Sequence, residues 1–380
     1  MTVIEASSPD RLRRPKGQGT IGQAEAPVLE LIGISKDFRG GAIRAVRNLS
    51  IDVYAGEVVS LLGPSGCGKT TTMRMIAGLE DPSGGDIRIA GRSVLGLPPH
   101  KRHIGLVFQS LAIFPHMSVW HNVAFGLRMK KVPKAEIAAK VERALDRVQL
   151  PAQTFAERMP SELSGGQLQR VALARTIVTE PALILFDEPM AALDRRLRDH
   201  MAIELRGIQK MLNIAALYVT HDQETASVMS DRIAIMRAGE IEQVGAPHEI
   251  YSRPANRFVG EFLGDINCLN ATSEVQGGDA FGGAVGIANG TIPVRFDPGT
   301  VGRPLQIFVR PEHVRIHVDP GIYRIAGHLA DVQFAGGFFN ARVVLSDGQS
   351  LMVRTLTNVA NWNKPVSVEI DGDHVLAAEG

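Results

Sequence analysis

Apolar residues along this chain follow two regimes that change near Gly264. Upstream, short continuous apolar runs alternate with stretches whose apolar positions recur every three or four residues. Val58–Leu62, Ala182–Phe186 and Ala215–Val219 read as strands buried on both faces, the kind a parallel sheet contains. Lys134–Leu150 carries Ile137, Val141, Leu145 and Val148 at helical spacing. Arg195–Leu212 does the same with Leu197, Met201, Leu205, Ile208 and Leu212. Shorter β-type runs at Val28–Ile34, Leu49–Val53, Asp86–Ile89 and Ile104–Val107 predict a small antiparallel layer beside the first parallel strand. Beyond Gly264 glycine becomes frequent and helical periodicity disappears. Runs such as Gln306–Val309, Arg342–Leu345 and Val366–Ile370 take over, with Asp347-Gly348 as a hairpin signal. The pattern predicts an α/β domain with a parallel sheet, followed by an all-β domain of one or two small barrels.

Composition narrows the function classes. A chain of 380 residues is long enough for two domains, and 44% hydrophobic with 21% charged residues suits a soluble protein with a large core. A net charge of +1 gives no general affinity for nucleic acid. No apolar run approaches the ~18–20 residues that span a bilayer. Glu5, Asp10 and Arg11 interrupt any signal-peptide core, so the expectation is a cytoplasmic protein, with residues 1–27 as a disordered polar tail. Cys67 and Cys268 stand in unrelated segments and suggest neither a disulfide nor a metal cluster.

The strand Val58–Leu62 runs into Gly63-Pro64-Ser65-Gly66-Cys67-Gly68-Lys69-Thr70, followed by Thr71 and a helical segment through Ile76. This is the P-loop pattern in its required strand–loop–helix setting. Glycines let backbone N–H groups approach phosphates, and the helix N-terminus favours negative charge there. Lys69 is expected on the β- and γ-phosphates and the Thr70 hydroxyl on Mg²⁺. Downstream, Leu183–Phe186 delivers two adjacent acids to the end of a buried strand, where ligands bind in such sheets. Asp187 is expected to support Mg²⁺ and Glu188 to polarise an attacking water.

Leu163-Ser164-Gly165-Gly166-Gln167-Leu168-Gln169-Arg170, ahead of the helical run Val171–Val178, resembles the signature motif of the ATP-binding-cassette superfamily. The resemblance implies a P-loop NTPase domain in which Ser164, Gly165, Gly166 and Gln167 contact ATP held by a second copy. By the same resemblance Phe38 stacks on adenine, and Gln109 is the Q-loop residue touching Mg²⁺ and the attacking water. Ala191-Ala192-Leu193-Asp194 matches the D-loop, usually SALD or SNLD, with Asp194 reaching across the dimer and one serine hydroxyl missing. His221 matches the switch histidine, contacting the γ-phosphate and Glu188. One set of motifs per chain implies a homodimer with two equivalent sites.

The stretch Val107–Val119, with Phe114 at its centre, is similar to the importer segment that receives a permease helix. Gln243–Val259 and the Arg310-Pro311-Glu312 element resemble the maltose/polyamine/iron group, whose ATPases carry a C-terminal OB-like, TOBE-type regulatory domain. Gly264–Ala271 resembles a stretch common in spermidine/putrescine importers. These likenesses imply an ATP-hydrolysing importer subunit over residues 28–264 and a regulatory domain over 265–380. It would work with integral-membrane permeases and, through them, a solute-binding protein, at the cytoplasmic face of the membrane. Ferric iron, phosphonate or sugar are the competing solutes. A soluble cassette ATPase and a regulatory ATP sensor are the competing classes.

Overall fold

The computed structural model describes residues 26–191, 193–274, 283–288, 290–294, 304–319, 324–359 and 365–379. The expected tail therefore lies, apart from Ala26 and Pro27, outside the described residues. In chain order the elements are β1 Leu29–Phe38, β2 Ile43–Val53, β3 Val58–Leu62, α1 Lys69–Ala77, β4 Gly84–Ile89, β5 Arg92–Ser93 and β6 Ile104–Val107. Then come α2 Val119–Met129, α3 Lys134–Arg147, α4 Ala152–Phe155, α5 Gly165–Ile177, β7 Leu183–Asp187, α6 Arg195–Leu212, β8 Ala215–Thr220 and α7 Gln223–Met229. They are followed by β9 Arg232–Arg237, β10 Glu240–Gly245, α8 Pro247–Ser252, α9 Arg257–Phe262 and β11 Asn267–Glu274. The remainder is β12 Gly283–Ile287, β13 Gly290–Val294, β14 Pro304–Val309, β15 Val314–His317 and β16 Arg324–Phe334. It ends with β17 Phe339–Leu345, β18 Ser350–Thr355, β19 Pro365–Ile370 and β20 Leu376–Glu379.

Two compact units divide after Ile250. In the first, a six-stranded sheet of order β10-β9-β3-β8-β7-β6 has parallel pairing from β9 to β6. Alternate residues of its central strands face different cores. Ile184, Phe186, Ala216 and Tyr218 join the core built with α2, α3, α5 and α6. Leu183, Leu185, Leu217 and Val219 join the opposite core, made with α1 and the four-stranded antiparallel sheet β2-β1-β4-β5. Each such side chain removed from water contributes ~1.5–3 kcal/mol, which is why continuous apolar runs end up between two layers. The Ile104–Val107 run was expected in the antiparallel layer and belongs instead to the parallel sheet, pairing with β7 at Ile104↔Leu183 through Val107↔Phe186. Its partner lies far downstream, and local periodicity carries no sign of that. Buried Arg102 fixes the approach to β6 by donating to Leu97 O, Met75 O and Ile76 O at 2.7–3.0 Å.

The second unit places β13-β12-β11-β14-β20 and β15-β19-β16-β17-β18 as two antiparallel sheets around one apolar core. The end strands β15 and β18 come into contact, so the latter sheet curls towards a barrel. The Asp347-Gly348 turn closes β17 on β18, with Gly348 at φ 87° and Asp347 Oδ1 accepting from Gln349 N at 2.9 Å. The expected boundary after Gly264 differs from the division after Ile250 because Arg310 ties the intervening segment to the β-sheets. Its guanidinium, 3% exposed, donates to the carbonyls of Tyr251, Gly260, Gly264 and Asp265 at 2.9–3.3 Å. It also lies 4.1 Å from the Tyr251 ring centroid, while Tyr251 Oη donates to Glu312 at 2.6 Å.

Beside this hub the His313 and His374 rings stack 3.7 Å apart, and His374 pairs with Asp371 at 3.2 Å. Burial, then the neighbouring His374, holds the His313 imidazole below the ordinary histidine range. Glu312 and Asp371 pull it up, and Arg310 pushes it further down. The folded value thus lies below the unfolded one of about 6.5. Stability is complete above that value and declines as pH falls, because the unfolded chain takes up its proton first. We expect the unit's melting temperature to drop between about pH 7 and pH 5, with His313→Gln flattening the drop. Equal pH slopes for wild type and variant would refute this.

Candidate active site

The phosphate loop owes its shape to what surrounds it. β3 is wholly buried, so the chain leaves the sheet at Gly63 with little freedom. Gly68 sits at φ 108°, and a Cβ there would stand 2.4 Å from Ala45 O, so only glycine fits. Lys69 opens α1 and folds back over the loop, its Nζ donating to Gly63 O at 2.6 Å and Pro64 O at 3.1 Å. The buried Cys67 sulfur is 3.8 Å from the same ammonium. Pro64, Ser65, Gly66 and Thr70 are exposed and Thr71 is half-buried, leaving the loop's outer rim open. A cation is thus held at the mouth of a helix N-terminus by weak carbonyl partners that an anion can replace.

On the neighbouring strand ends, β7 finishes at Asp187 and the next residue turns sharply. Glu188 has φ 43°, fixed by its N–H to Val219 O at 3.0 Å and by Ala191 N–H to its own carbonyl at 3.1 Å. That turn brings the Glu188 carboxylate to His221 Nδ1 at 2.8 Å, just past the end of β8. The His221 ring is otherwise open, its side chain 61% exposed. Burial, and secondarily the Glu188 charge, pushes the Asp187 carboxyl above its ordinary range, while Arg74 pulls it down. The two adjacent carboxylates at the end of β7, and the exposed Thr70 hydroxyl on α1, are hard oxygen donors of the kind Mg²⁺ takes.

Ser164 caps α5 in a reciprocal box: its hydroxyl accepts from Gln167 N at 3.3 Å, and Gln167 Oε1 accepts from Ser164 N at 3.0 Å. Ser164 and Gly165 are exposed, with Gly166 and Gln167 half-buried, so the N-terminus of this helix faces outward. α1 and α5 contribute to opposite cores of the sheet. Asp194 caps α6, accepting from Leu197 N at 3.0 Å; Ala192 lies outside the described residues.

Gln109 is exposed just beyond β6, and Phe38 is half-buried at the end of β1, with Lys36 Nζ 5.0 Å from its ring centroid. The segment after Gln109 is pinned by residues that sequence reasoning did not single out. Asn122, fully buried on α2, accepts from Phe114 N at 2.8 Å and donates to the carbonyls of Phe114, Met117 and Ser118 at 3.0–3.1 Å. Arg175 from α5 donates to Ala112 O and lies 4.7 Å from the Phe114 ring, which also packs on Phe125. Among the buried positions of α2, Val119, Asn122, Val123, Ala124 and Leu127, Asn122 is the one polar residue, and that was the available signal. Arg198 and Asp222, paired at 2.6 Å, were likewise passed over, since charged residues near helix starts are common.

Comparisons with known proteins point to one family. A family model described as ABC transporter matches residues 46–191, and one described as TOBE domain matches residues 307–377. The spermidine/putrescine import ATP-binding protein PotA of Vibrio vulnificus (strain YJ016) is 45% identical over 349 residues, 88% of this chain and 88% of that protein. The protein of the same name from Rubrobacter xylanophilus is 43% identical over 372 residues, covering 96% of this chain and 97% of its own length. A solved structure of cbiO1 from Clostridium perfringens, part of the ABC transporter complex cbiONQ, shares the fold with a TM-score of 0.55 at 28% identity. It covers 61% of this chain and 93% of that one. The chain belongs to the ATP-binding-cassette family, as the ATP-hydrolysing subunit of an importer with a C-terminal TOBE domain.

Proposed function

We propose that two copies of this chain bind MgATP between them and couple its hydrolysis to polyamine uptake through membrane permeases, from the cytoplasmic face of the membrane. The observation that carries the hydrolytic reading is the Glu188–His221 contact at 2.8 Å, built by the left-handed backbone at Glu188. Lys69 and the backbone N–H groups of Gly63–Thr71 take the β- and γ-phosphates. Glu188 polarises the attacking water, and His221 holds its carboxylate in place. Such base assistance is typically worth ~10²–10⁴-fold in rate. Mg²⁺, held by Thr70, Gln109 and Asp187, would neutralise charge on the phosphates. Phe38 supplies a half-exposed ring for the adenine.

The two-copy arrangement is supported by the outward-facing start of α5, with Ser164 and Gly165 exposed and α1 on the other side of the sheet. The Ser164–Gln167 segment and Asp194 then complete the partner's site. No described helix is long and apolar enough to cross a membrane, consistent with a subunit that works on separate permeases. The Phe114 segment, clamped by Asn122 and Arg175, offers a preformed surface for them.

For the solute, the support is the relatives named for spermidine/putrescine import. The test is uptake of labelled spermidine, putrescine and ferric iron by cells with and without the chain, with Glu188→Gln as the hydrolysis control. Loss of polyamine uptake alone is expected. Intact polyamine uptake with another solute lost would overturn the solute assignment and leave the ATPase reading standing.

A further inference from the structure

The starts of α6 and α7 are joined by an arrangement that nucleotide contact does not explain. Arg198 lies one turn into α6, four residues after the capping Asp194. Its Nη1 donates to Asp222 Oδ2 at 2.6 Å and its Nη2 to Leu193 O at 3.0 Å. The other Asp222 oxygen caps α7 by accepting from Thr225 N at 2.7 Å, and Asp222 N donates to Thr220 Oγ1 at 3.0 Å. One guanidinium therefore ties the loop ending in Asp194 to the segment that carries His221. The side chains of the pair are only 24% and 23% exposed, whereas the neighbouring Arg195–Glu224 pair is 75% and 61% exposed and contributes little. Burial pushes the Asp222 carboxyl up, yet hydrogen bonds from Thr225 and Arg198 outweigh it and leave the group below its ordinary range.

A cavity of about 30 Å³ opens beside this pair, lined by Glu188, Ala191, Arg198, Tyr218, His221 and Asp222 among others. Arg198 Nε and Thr225 Oγ1, both from lining residues, are buried without a protein partner. A space of that size is large enough for one or two waters to reach such groups.

We propose that Arg198 is a positioning residue for hydrolysis. It makes the Ala191–Asp194 loop and the His221 segment one piece, so that a second copy pressing on Asp194 sets the contact between His221 and Glu188. Asp194 is the only polar side chain of that loop, because position 191 is alanine and offers no hydroxyl. The proposal rests on the reading of Glu188 and His221 as the hydrolytic pair.

Arg198→Met, Arg198→Lys and Asp222→Asn in the full chain test it. Arg198→Met is expected to lower kcat about 10- to 100-fold, the cost of slight misplacement. MgATP affinity, measured by calorimetry in a Glu188→Gln background, is expected to change less than about twofold, because Arg198 does not touch the phosphate loop. Lysine should recover part of the rate, since one ammonium reaches Asp222 but does not fork to Leu193 O. Arg198→Met/Asp222→Asn should be no slower than the slower single variant, because both changes remove one link. Wild-type kcat in Arg198→Met, or a loss of MgATP affinity as large as the loss of rate, would overturn the proposal. If Glu188→Gln itself hydrolyses ATP normally, the underlying pair is misassigned. If Glu188→Gln is inactive and Arg198→Met is fully active, only the positioning role falls.

Discussion

Glu188→Gln is expected to reduce ATP hydrolysis ~10²–10⁴-fold while leaving ATP binding intact. Glutamine keeps the length and shape of the side chain and can still accept from the histidine Nδ1, 2.8 Å away in the wild type. It removes the negative charge that polarises water. Lys69 and the loop carbonyls that hold it are untouched, so the phosphates keep their cation. The substitution also preserves a backbone at φ 43°, which two hydrogen bonds hold and which costs ~1–3 kcal/mol for a side-chain-bearing residue. ATP that binds and is not consumed should hold two copies together. Size-exclusion chromatography with light scattering should then show a dimer with MgATP and a monomer without it. Persistent monomer with ATP bound would remove the shared-site reading; undiminished turnover would remove Glu188 from the chemistry.

This experiment also separates what the motif residues do alone from what the fold adds. Burial raises the Asp187 carboxyl, and the Glu188 charge adds to it, so the site stores unfavourable negative charge that a cation relieves. At the exposed start of α5 the reciprocal box engages the amides of Ser164 and Gln167 and so fixes the local shape of that turn.

Most of the cassette was legible because its information is local. The P-loop, the Asp187-Glu188 strand end and the α6 stripe each contain their own pattern, and α6 spans the same Arg195–Leu212 that spacing predicted. β6 was misplaced because a parallel edge strand is defined by a distant partner, β7. Helix α2 was not foreseen even though Ser118 caps it, since its buried face is interrupted by Asn122. That asparagine is legible only once the carbonyls it serves are seen together. In the C-terminal unit the β character was plain, but the Gly264–Ala271 string that resembled polyamine importers has a folding role. Asn267 is buried and brackets Met352, donating to its carbonyl at 2.8 Å and accepting from its N–H at 2.7 Å. Its side chain is committed to the β11–β18 contact, which gives this residue of the string an architectural role.

Arg310→Leu is expected to unfold the C-terminal unit well before the cassette. Leucine fills much of the volume but leaves the carbonyls of Tyr251, Gly260, Gly264 and Asp265 without their common donor. A buried polar group stripped of its partner costs ~1–3 kcal/mol, and removing one member of a buried charged network typically costs about 3–5 kcal/mol. The ring stacking over Tyr251 is lost as well, while Glu312, which accepts from Tyr251, keeps Arg354 at 3.6 Å. For a domain of this size, losses of that order lower a melting temperature by about 10 °C or more. Calorimetry of the full chain should show one transition moving down and another holding, with MgATP binding retained at low temperature. Arg310→Lys should fall between, because an ammonium keeps the charge but not the planar fork that spans four carbonyls. A leucine variant that melts within a degree or two of wild type would mean that the 251–264 segment is held by its apolar contacts, with Arg310 only accompanying them.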